Sequence, residues 1–511
     1  MWARRSYLGL GVLAGALTLF GCGGGSGAER APAPATAAEP NIVFVLLDDA
    51  TKEQYSAESM PFTWEYMRRH ATTFSDYLVT SPLCCPARAS ITTGQYGHNS
   101  GVLANVYGAI DDPQNILPVW LQQSGYGTAH VGKYLNNYEN DLDAPADVAP
   151  GWDEWLTQLE PQRYFGYELS DNGEAVRFGN ADDDYLTRVL NARAVEVAED
   201  FARRDERFYL QLDQFAPHFA GGQDGRCKGA AEPDPRDERA FSQAGVPRAP
   251  ALFEQDRRDK PEFIRSMPRG SGKALRAADV RYACALESLR AVDRGFEEII
   301  STLEEHGALD ETAIVLSSDN GLYYGEHGIP GEKHFPYREA YEVPLQIALP
   351  RSPGNGQPAR VDAPTASIDL APTFLELAGG KPCAEPGDCR ALDGRSLLGL
   401  MRRGDGAGDW AGRARGLELT LDENNEPYDR TCEYFGVRWK RWAYVKHVTA
   451  ARRGGECRPS GERELYDLSK DPFQLRNVAA GEPKSARRLH RLAVAVRKCE
   501  GGQCRRLDRA R

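Results

Sequence analysis

Three things are scarce in this chain, and each narrows what it can be. The apolar run near the N-terminus, Leu8 to Phe20, is too short to cross a bilayer, so it does not read as a transmembrane helix. Positive charge is not in excess. Lys and Arg number 62 against 74 Asp and Glu, a formal net charge of -12, which excludes general nucleic-acid binding. A polyanionic substrate would be repelled by that field and would need a local basic pocket. No internal repeat is present, so no repeat architecture is expected.

What is there is enough for a substantial core. At 511 residues the chain can hold one large α/β domain and a smaller one. Asn41-Ile-Val-Phe-Val-Leu-Leu47 is a continuous apolar run between Pro40 and Asp48, the pattern of a strand buried on both faces of a parallel sheet. Ala313-Ile-Val-Leu316 is a second such run, ending at Ser317-Ser318-Asp319-Asn320-Gly321. Before it, Leu286, Leu289, Val292, Phe296, Ile299 and Leu303 share one face of an amphipathic helix closed by Gly307. Helix, loop and buried strand in this order predict an α/β sheet with crossover helices. Open α/β sheets place their ligands at the carboxyl ends of such strands, where Asp48-Asp49 and Asp319-Asn320 stand.

The polar segment from Gly221 to Lys273 reads as either an ordered insertion near the site or a mobile loop. Further on, Trp439 to Lys446 alternates like a strand, as does Glu464 to Asp467, so a small C-terminal antiparallel subdomain is expected over 401–483. The Arg-rich tail, 484–511, reads as a solvated helix and its frayed end. The catalytic domain is then expected over 41–400.

The N-terminus predicts export. Arg4 and Arg5 precede the apolar run, and Leu19-Phe20-Gly21-Cys22 is similar to a bacterial lipobox. Cleavage after residue 21 would leave a lipid on Cys22 as the membrane attachment, and residues 22–40 would be a flexible tether. An ordinary secretory signal is the alternative. Cysteine usage agrees with an oxidising compartment. Setting aside Cys22, Cys84 and Cys85, eight of the 11 cysteines remain, enough for four bridges. The close pairs Cys383/Cys389 and Cys499/Cys504 suggest themselves, Cys432/Cys457 and Cys227/Cys284 are further candidates, and the sequence leaves the connectivity open.

The string Leu83-Cys84-Cys85-Pro86-Ala87-Arg88, continuing through Ile91 and Thr93-Gly94, resembles the C-x-P-x-R signature of type I sulfatases. Thr92 stands where an apolar residue is usual, and only Cys84 has the required spacing. In that family the cysteine is converted by a formylglycine-generating enzyme to an aldehyde whose hydrate attacks sulfur. The resemblance implies an alkaline-phosphatase-like mixed sheet flanked by helices. It also implies one divalent cation held by Asp48, Asp49, Asp319, Asn320 and the residue at 84, and hard oxygen donors suit Ca²⁺ or Mg²⁺. Lys133 in HVGKYLNNY, His218 in FAPHFA and Lys333 in GIPGEKHFPY match the family's sulfate-binding lysines and catalytic histidine. Arg88 would hold the hydrated aldehyde. One departure concerns the second half-reaction: where many sulfatases read G-K-W-H, this chain has Gly132-Lys133-Tyr134-Leu135, and Asn136, Asn137 and His327 are the candidate substitutes for the missing histidine.

GKYLNNY and LCCPARASITTGQYGHNSGV look like the branch of N-acetylglucosamine-6-sulfatases and heparan endosulfatases. That implies a sulfated saccharide as substrate, with aryl sulfates as the small-molecule alternative. Two other readings share part of this pattern: a phosphate or phosphonate monoester hydrolase of the same superfamily, and an inactive glycan-binding lipoprotein.

Overall fold

A computed structural model describes residues 39–220, 225–267, 269–350, 357–403, 410–420, 432–451 and 457–507. The expected signal segment and Cys22 lie outside the described residues.

Asn41–Leu47 is a strand, and its side chains alternate between two apolar clusters. Ile42, Phe44 and Leu46 pack with Trp120, Ile91 and Phe374, while Val43, Val45 and Leu47 pack with Leu190, Phe201 and Phe296. Burial on both faces explains why the run is uniformly apolar rather than alternating. Among the described residues ten strands make the central sheet. Across it run Arg360–Val361, Thr72–Phe74, Leu345–Ala348, Thr312–Ser318, Asn41–Leu47, Phe208–Asp213, Gly127–Gly132, Glu154–Gln158, Glu168–Asp171 and Glu174–Arg177. The five from Thr312–Ser318 to Glu154–Gln158 are parallel, and antiparallel strands flank them. The helices Leu186–Arg204, Gly272–Glu305 and Pro61–His70 contribute to one cluster; Cys84–Thr93, Leu117–Gln123 and Leu370–Leu377 contribute to the other. The expected α/β architecture, a mixed sheet flanked by helices, is the one observed.

The helix expected around 286–303 is far longer, 34 residues from Gly272 to Glu305. Its start is set by Ser271, whose Oγ accepts the Ala274 N–H at 3.1 Å. All six expected apolar residues are buried. The described part of the 221–273 segment is ordered: Cys227 is bridged to Cys284, and Ala251, Phe263 and Ile264 are buried. The other bridges are Cys383–Cys389, Cys432–Cys457 and Cys499–Cys504, while Cys84 and Cys85 are free thiols.

Five described strands, Ala414–Thr420, Glu433–Trp439, Trp442–Ala451, Cys457–Pro459 and Arg463–Asp467, form a small antiparallel sheet. Two expectations need correction here. Trp439 to Lys446 is not one strand. Lys440 turns at φ +52°, and Trp439 pairs with Trp442 across a hairpin. Nor is the 484–511 tail only a solvated helix. Pro483–Arg497 buries Ala486, Leu489, Ala493 and Val496, which recur every three or four residues and pack against the small sheet.

Candidate active site

Parallel register gathers the site. Leu46 is in register with both Asp213 and Ser317, and Gly132 with Asp213. Four neighbouring strands therefore end together, and the residues just past or at those ends are Asp48-Asp49, Asp213, Asp319-Asn320 and Lys133. The join is tightened by main-chain bonds from Asp319 N–H to the Leu47 carbonyl, 3.0 Å, and from Lys133 N–H to the Asp213 carbonyl, 2.9 Å. Asp49 has φ +65°, a left-handed conformation that Asp tolerates better than most residues. Its N–H donates to Asp319 Oδ1 at 3.2 Å.

Cys84 opens the fully buried helix Cys84–Thr93, and Arg88 lies one turn later on the same face. Gly94, at φ +66°, ends that helix in the left-handed region. The Arg88 guanidinium is 2 % exposed and spans three carboxylates. Nε reaches Asp319 at 3.0 Å, Nη1 reaches Asp213 at 2.9 Å, and Nη2 reaches Asp48 at 3.1 Å. Nη1 also donates to the Lys133 carbonyl at 2.7 Å. Such a planar fork fixes direction as well as charge.

Cys84 Sγ lies 2.8 Å from Lys333 Nζ, 3.4 Å from Lys133 Nζ and 3.7 Å from Asp48 Oδ1. Lys133 is ion-paired with Asp48, and Lys333 with Asp49 at 2.5 Å. Burial pushes the Cys84 thiol up to about 12, with the Asp48 charge adding to the rise and the Lys133 and Lys333 charges opposing it. Burial alone would also raise Asp48, but Lys133 and Arg88 outweigh it and hold that carboxyl well below the usual range. Asp319 moves the other way, to about 6, through burial and then the neighbouring Asp48 charge. Burial opposes charge on Lys333, yet Asp49 and its neighbours keep its pKa well above the ordinary lysine value.

His218 lies at the edge of this group. Its Nδ1 sits 2.6 Å from the Phe219 carbonyl, which sets Nδ1 as the protonated nitrogen and turns Nε2 toward Asp49, 3.6 Å away. Burial, then the Lys133 charge, lowers its pKa to about 4.

The structure thus brings together all the expected residues: Asp48, Asp49, Cys84, Arg88, Lys133, His218, Asp319, Asn320 and Lys333. Of the candidate substitutes for the missing histidine, His327 and Asn137 have partners outside this group. His327 is fully buried with Nδ1 against Glu254 at 2.8 Å and Nε2 toward Glu339. Asn137 donates to the Asn105 carbonyl, and Asn136 borders Cys85. Asp213 is the residue that sequence reasoning missed. Besides Arg88 it takes a hydrogen bond from Gln211 at 2.9 Å, and it faces His130 Nε2 at 3.3 Å. The signal was available, since Asp213 ends a buried strand just as Asp48 and Asp319 follow theirs.

The donor set fits a divalent cation. Oxygen, sulfur and nitrogen atoms of Asp48, Asp49, Cys84 and His218 lie within 4.8 Å of one another. Asp49 Oδ2 and Asn320 Oδ1 are buried without a hydrogen-bond partner, a costly state that a cation would relieve. Four carboxylates (Asp48, Asp49, Asp213, Asp319) face three fixed cations (Arg88, Lys133, Lys333), leaving one excess negative charge. A divalent ion would turn that into one excess positive charge.

A buried carboxylate cage beside two lysines, at the carboxyl edge of a mixed α/β sheet, is suited to holding a cation and an anionic group side by side. The family profile described as Sulfatase matches residues 40–380, and that of the N-sulphoglucosamine sulphohydrolase C-terminal region matches residues 325–499. The chain belongs to the sulfatase family, whose members are sulfuric ester hydrolases. It is similar to the N-acetylglucosamine-6-sulfatase of Capra hircus, 29 % identical over 516 residues, covering 95 % of this chain and 87 % of that protein. It is also 29 % identical over 370 residues to a putative extracellular sulfatase Sulf-1 homolog of Caenorhabditis elegans; this covers 71 % of the chain but only 49 % of that relative's length. A solved structure in complex with its substrate D-glucosamine-2-N,6-O-disulfate has the same fold, with a TM-score of 0.70 and 22 % identity over 93 % of this chain and 100 % of that one.

Proposed function

We propose that this protein is an exported sulfatase that removes sulfate from a sugar of the N-acetylglucosamine 6-sulfate type, using formylglycine made from Cys84 and a divalent cation, Ca²⁺ or Mg²⁺. The observation that carries this reading is the setting of Cys84. It is a buried cysteine outside any disulfide, with Lys333 Nζ at 2.8 Å and Lys133 Nζ at 3.4 Å, facing a carboxylate cage. Formylglycine at this position would supply, as its hydrate, the oxygen that takes the sulfuryl group, and covalent catalysis divides one hard displacement into two easier ones. The cation, held by Asp48, Asp49, Asp319, Asn320 and residue 84, would polarise the sulfate oxygens.

The remaining roles fall to the chain's own side chains. Lys133 and Lys333 carry charge toward the sulfate oxygens. Lys333 stands charged next to residue 84, while His218 is neutral with Nε2 turned into the site. Lys333 would supply the proton for the departing alcohol, and His218, whose unprotonated Nε2 faces the site, would relay it only after taking a proton there. Arg88 orients residue 84 through the helix they share and ties Asp48, Asp213 and Asp319 into one rigid frame. Four disulfides and the extracellular relatives support export, with a formylglycine-generating enzyme as the maturation partner. Attachment to the membrane through a lipid on Cys22, with 41–400 as the catalytic part and 401–483 as the accessory sheet, completes the proposal.

Parallel assays on p-nitrophenyl sulfate, p-nitrophenyl phosphate, phenylphosphonate and N-acetylglucosamine 6-sulfate test it. Sulfate esters should be turned over fastest. Phosphonate turnover well above sulfate turnover would overturn the proposal.

A further inference from the structure

The site is sealed on most sides. Cys84, Asp48, Asp49, Lys133, Asp319 and Asn320 are all at most 1 % exposed, whereas the His218 side chain is 16 % exposed and that of Lys333 is 7 %. His218 and Lys333 are thus the partly open members of this group, and Phe219 follows His218 in the chain. Among the described residues the exposed large hydrophobic side chains are Val148, Val176, Val280 and Phe219, so Phe219 is the one aromatic of the set, 40 % exposed.

Scattered single valines on a surface need no explanation. A phenyl ring beside a charged, buried site does. It lies against His218, which is itself held in place. The two rings stack with centroids 4.6 Å apart and planes within 14°, and Phe215 packs against His218 at 4.9 Å. The Phe219 carbonyl accepts a hydrogen bond from His218 Nδ1–H, and the Tyr164 hydroxyl donates to the His218 carbonyl at 2.8 Å. The Phe219 ring is thus stacked on a residue of the site, yet open to water. An aromatic face attracts the polarised C–H groups of a pyranose and the edge or face of an aryl ring, and it offers nothing to a bare anion.

Building on the sulfatase reading, we propose that Phe219 is the platform on which the ring of the substrate's alcohol half lies. The lysines would take the charged sulfate and Phe219 the uncharged ring, so the residue would select ring-borne sulfate esters over acyclic ones.

Calorimetry on Cys84→Ala protein with Ca²⁺ tests this without requiring turnover. Adding Phe219→Ala should weaken binding of N-acetylglucosamine 6-sulfate about five- to tenfold, the size of one aromatic contact. Binding of inorganic sulfate should stay unchanged, and Phe219→Trp should restore the sugar ester to within about twofold. Equal weakening of both ligands would make Phe219 a packing partner of His218 and overturn the proposal, as would no change in either. The sulfatase reading stands or falls separately, on turnover by protein that retains Cys84.

Discussion

Replacing Arg88 with Met keeps the length of the side chain and removes its charge from among three buried carboxylates. Removing one partner of a buried ion pair costs about 3–5 kcal/mol. Three such costs do not add here. Lys133 and Lys333 remain beside Asp48 and Asp49, and Asp319, already raised to about 6, can take up a proton. Arg88→Met should therefore lose about 3–5 kcal/mol at neutral pH. Arg88→Lys keeps the charge, but its three donors sit on a single nitrogen and must replace a fork that now serves four acceptors. It should lose about 1–3 kcal/mol. The pH dependence has a definite sign. Without Arg88 the Asp319 carboxyl, already raised by burial, moves further above its unfolded value. The variant's stability then falls as pH climbs through the raised value and recovers as pH drops. The Met deficit should thus be larger at about pH 8 than at about pH 5. Urea unfolding followed by tryptophan fluorescence, in chelator so that no cation compensates, measures it. A Met loss below about 1 kcal/mol, or equal losses for Met and Lys, would refute the reasoning.

Further consequences are as direct. Ca²⁺ added to chelated wild-type protein at a hundred times its dissociation constant should raise the unfolding free energy by about 2.7 kcal/mol, and Asp49→Asn or Asn320→Ala should abolish most of that gain in the same urea titration. Asp213→Asn should lower kcat/KM on p-nitrophenyl sulfate about 10- to 100-fold while leaving the protein folded by circular dichroism, because it unties Arg88 without touching residue 84. Leu489→Ala on the C-terminal helix should cost about 2–5 kcal/mol in unfolding free energy. Arg487→Ala on the exposed side of that helix should change it by no more than about 0.5.

The parts legible in the sequence are those where one local rule governs. Asn41–Leu47 and Thr312–Ser318 are buried on both faces, so an apolar run bounded by Asp marks both the strand and the sheet edge where the site forms. Cys84 and Arg88 share one helix turn, so their spacing is visible directly. Lys133, His218 and Lys333 come from distant loops, and only the family resemblance joined them before the structure did. Asp213 escaped because Gln211 interrupts its apolar run; that polar residue is there to bond Asp213. The hairpin at Lys440 escaped because Trp439 and Trp442 face each other across a turn, which gives the same alternation as an unbroken strand. The long helix begins at Gly272 in a charged, Gly-rich stretch where no apolar periodicity signals a start. The packing of Pro483–Arg497 escaped because its arginines mask four small or apolar residues at helical spacing.

The proposal that Cys84 becomes formylglycine makes one chemical prediction, that residue 84 of the mature protein is no longer a cysteine. Peptide mass spectrometry across residues 81–94, on protein purified from its native host, tests it most directly. The account predicts a peptide lighter by the difference between a thiol side chain and an aldehyde, with Cys85 intact and alkylatable. A peptide carrying two alkylatable cysteines in all of the protein would contradict it.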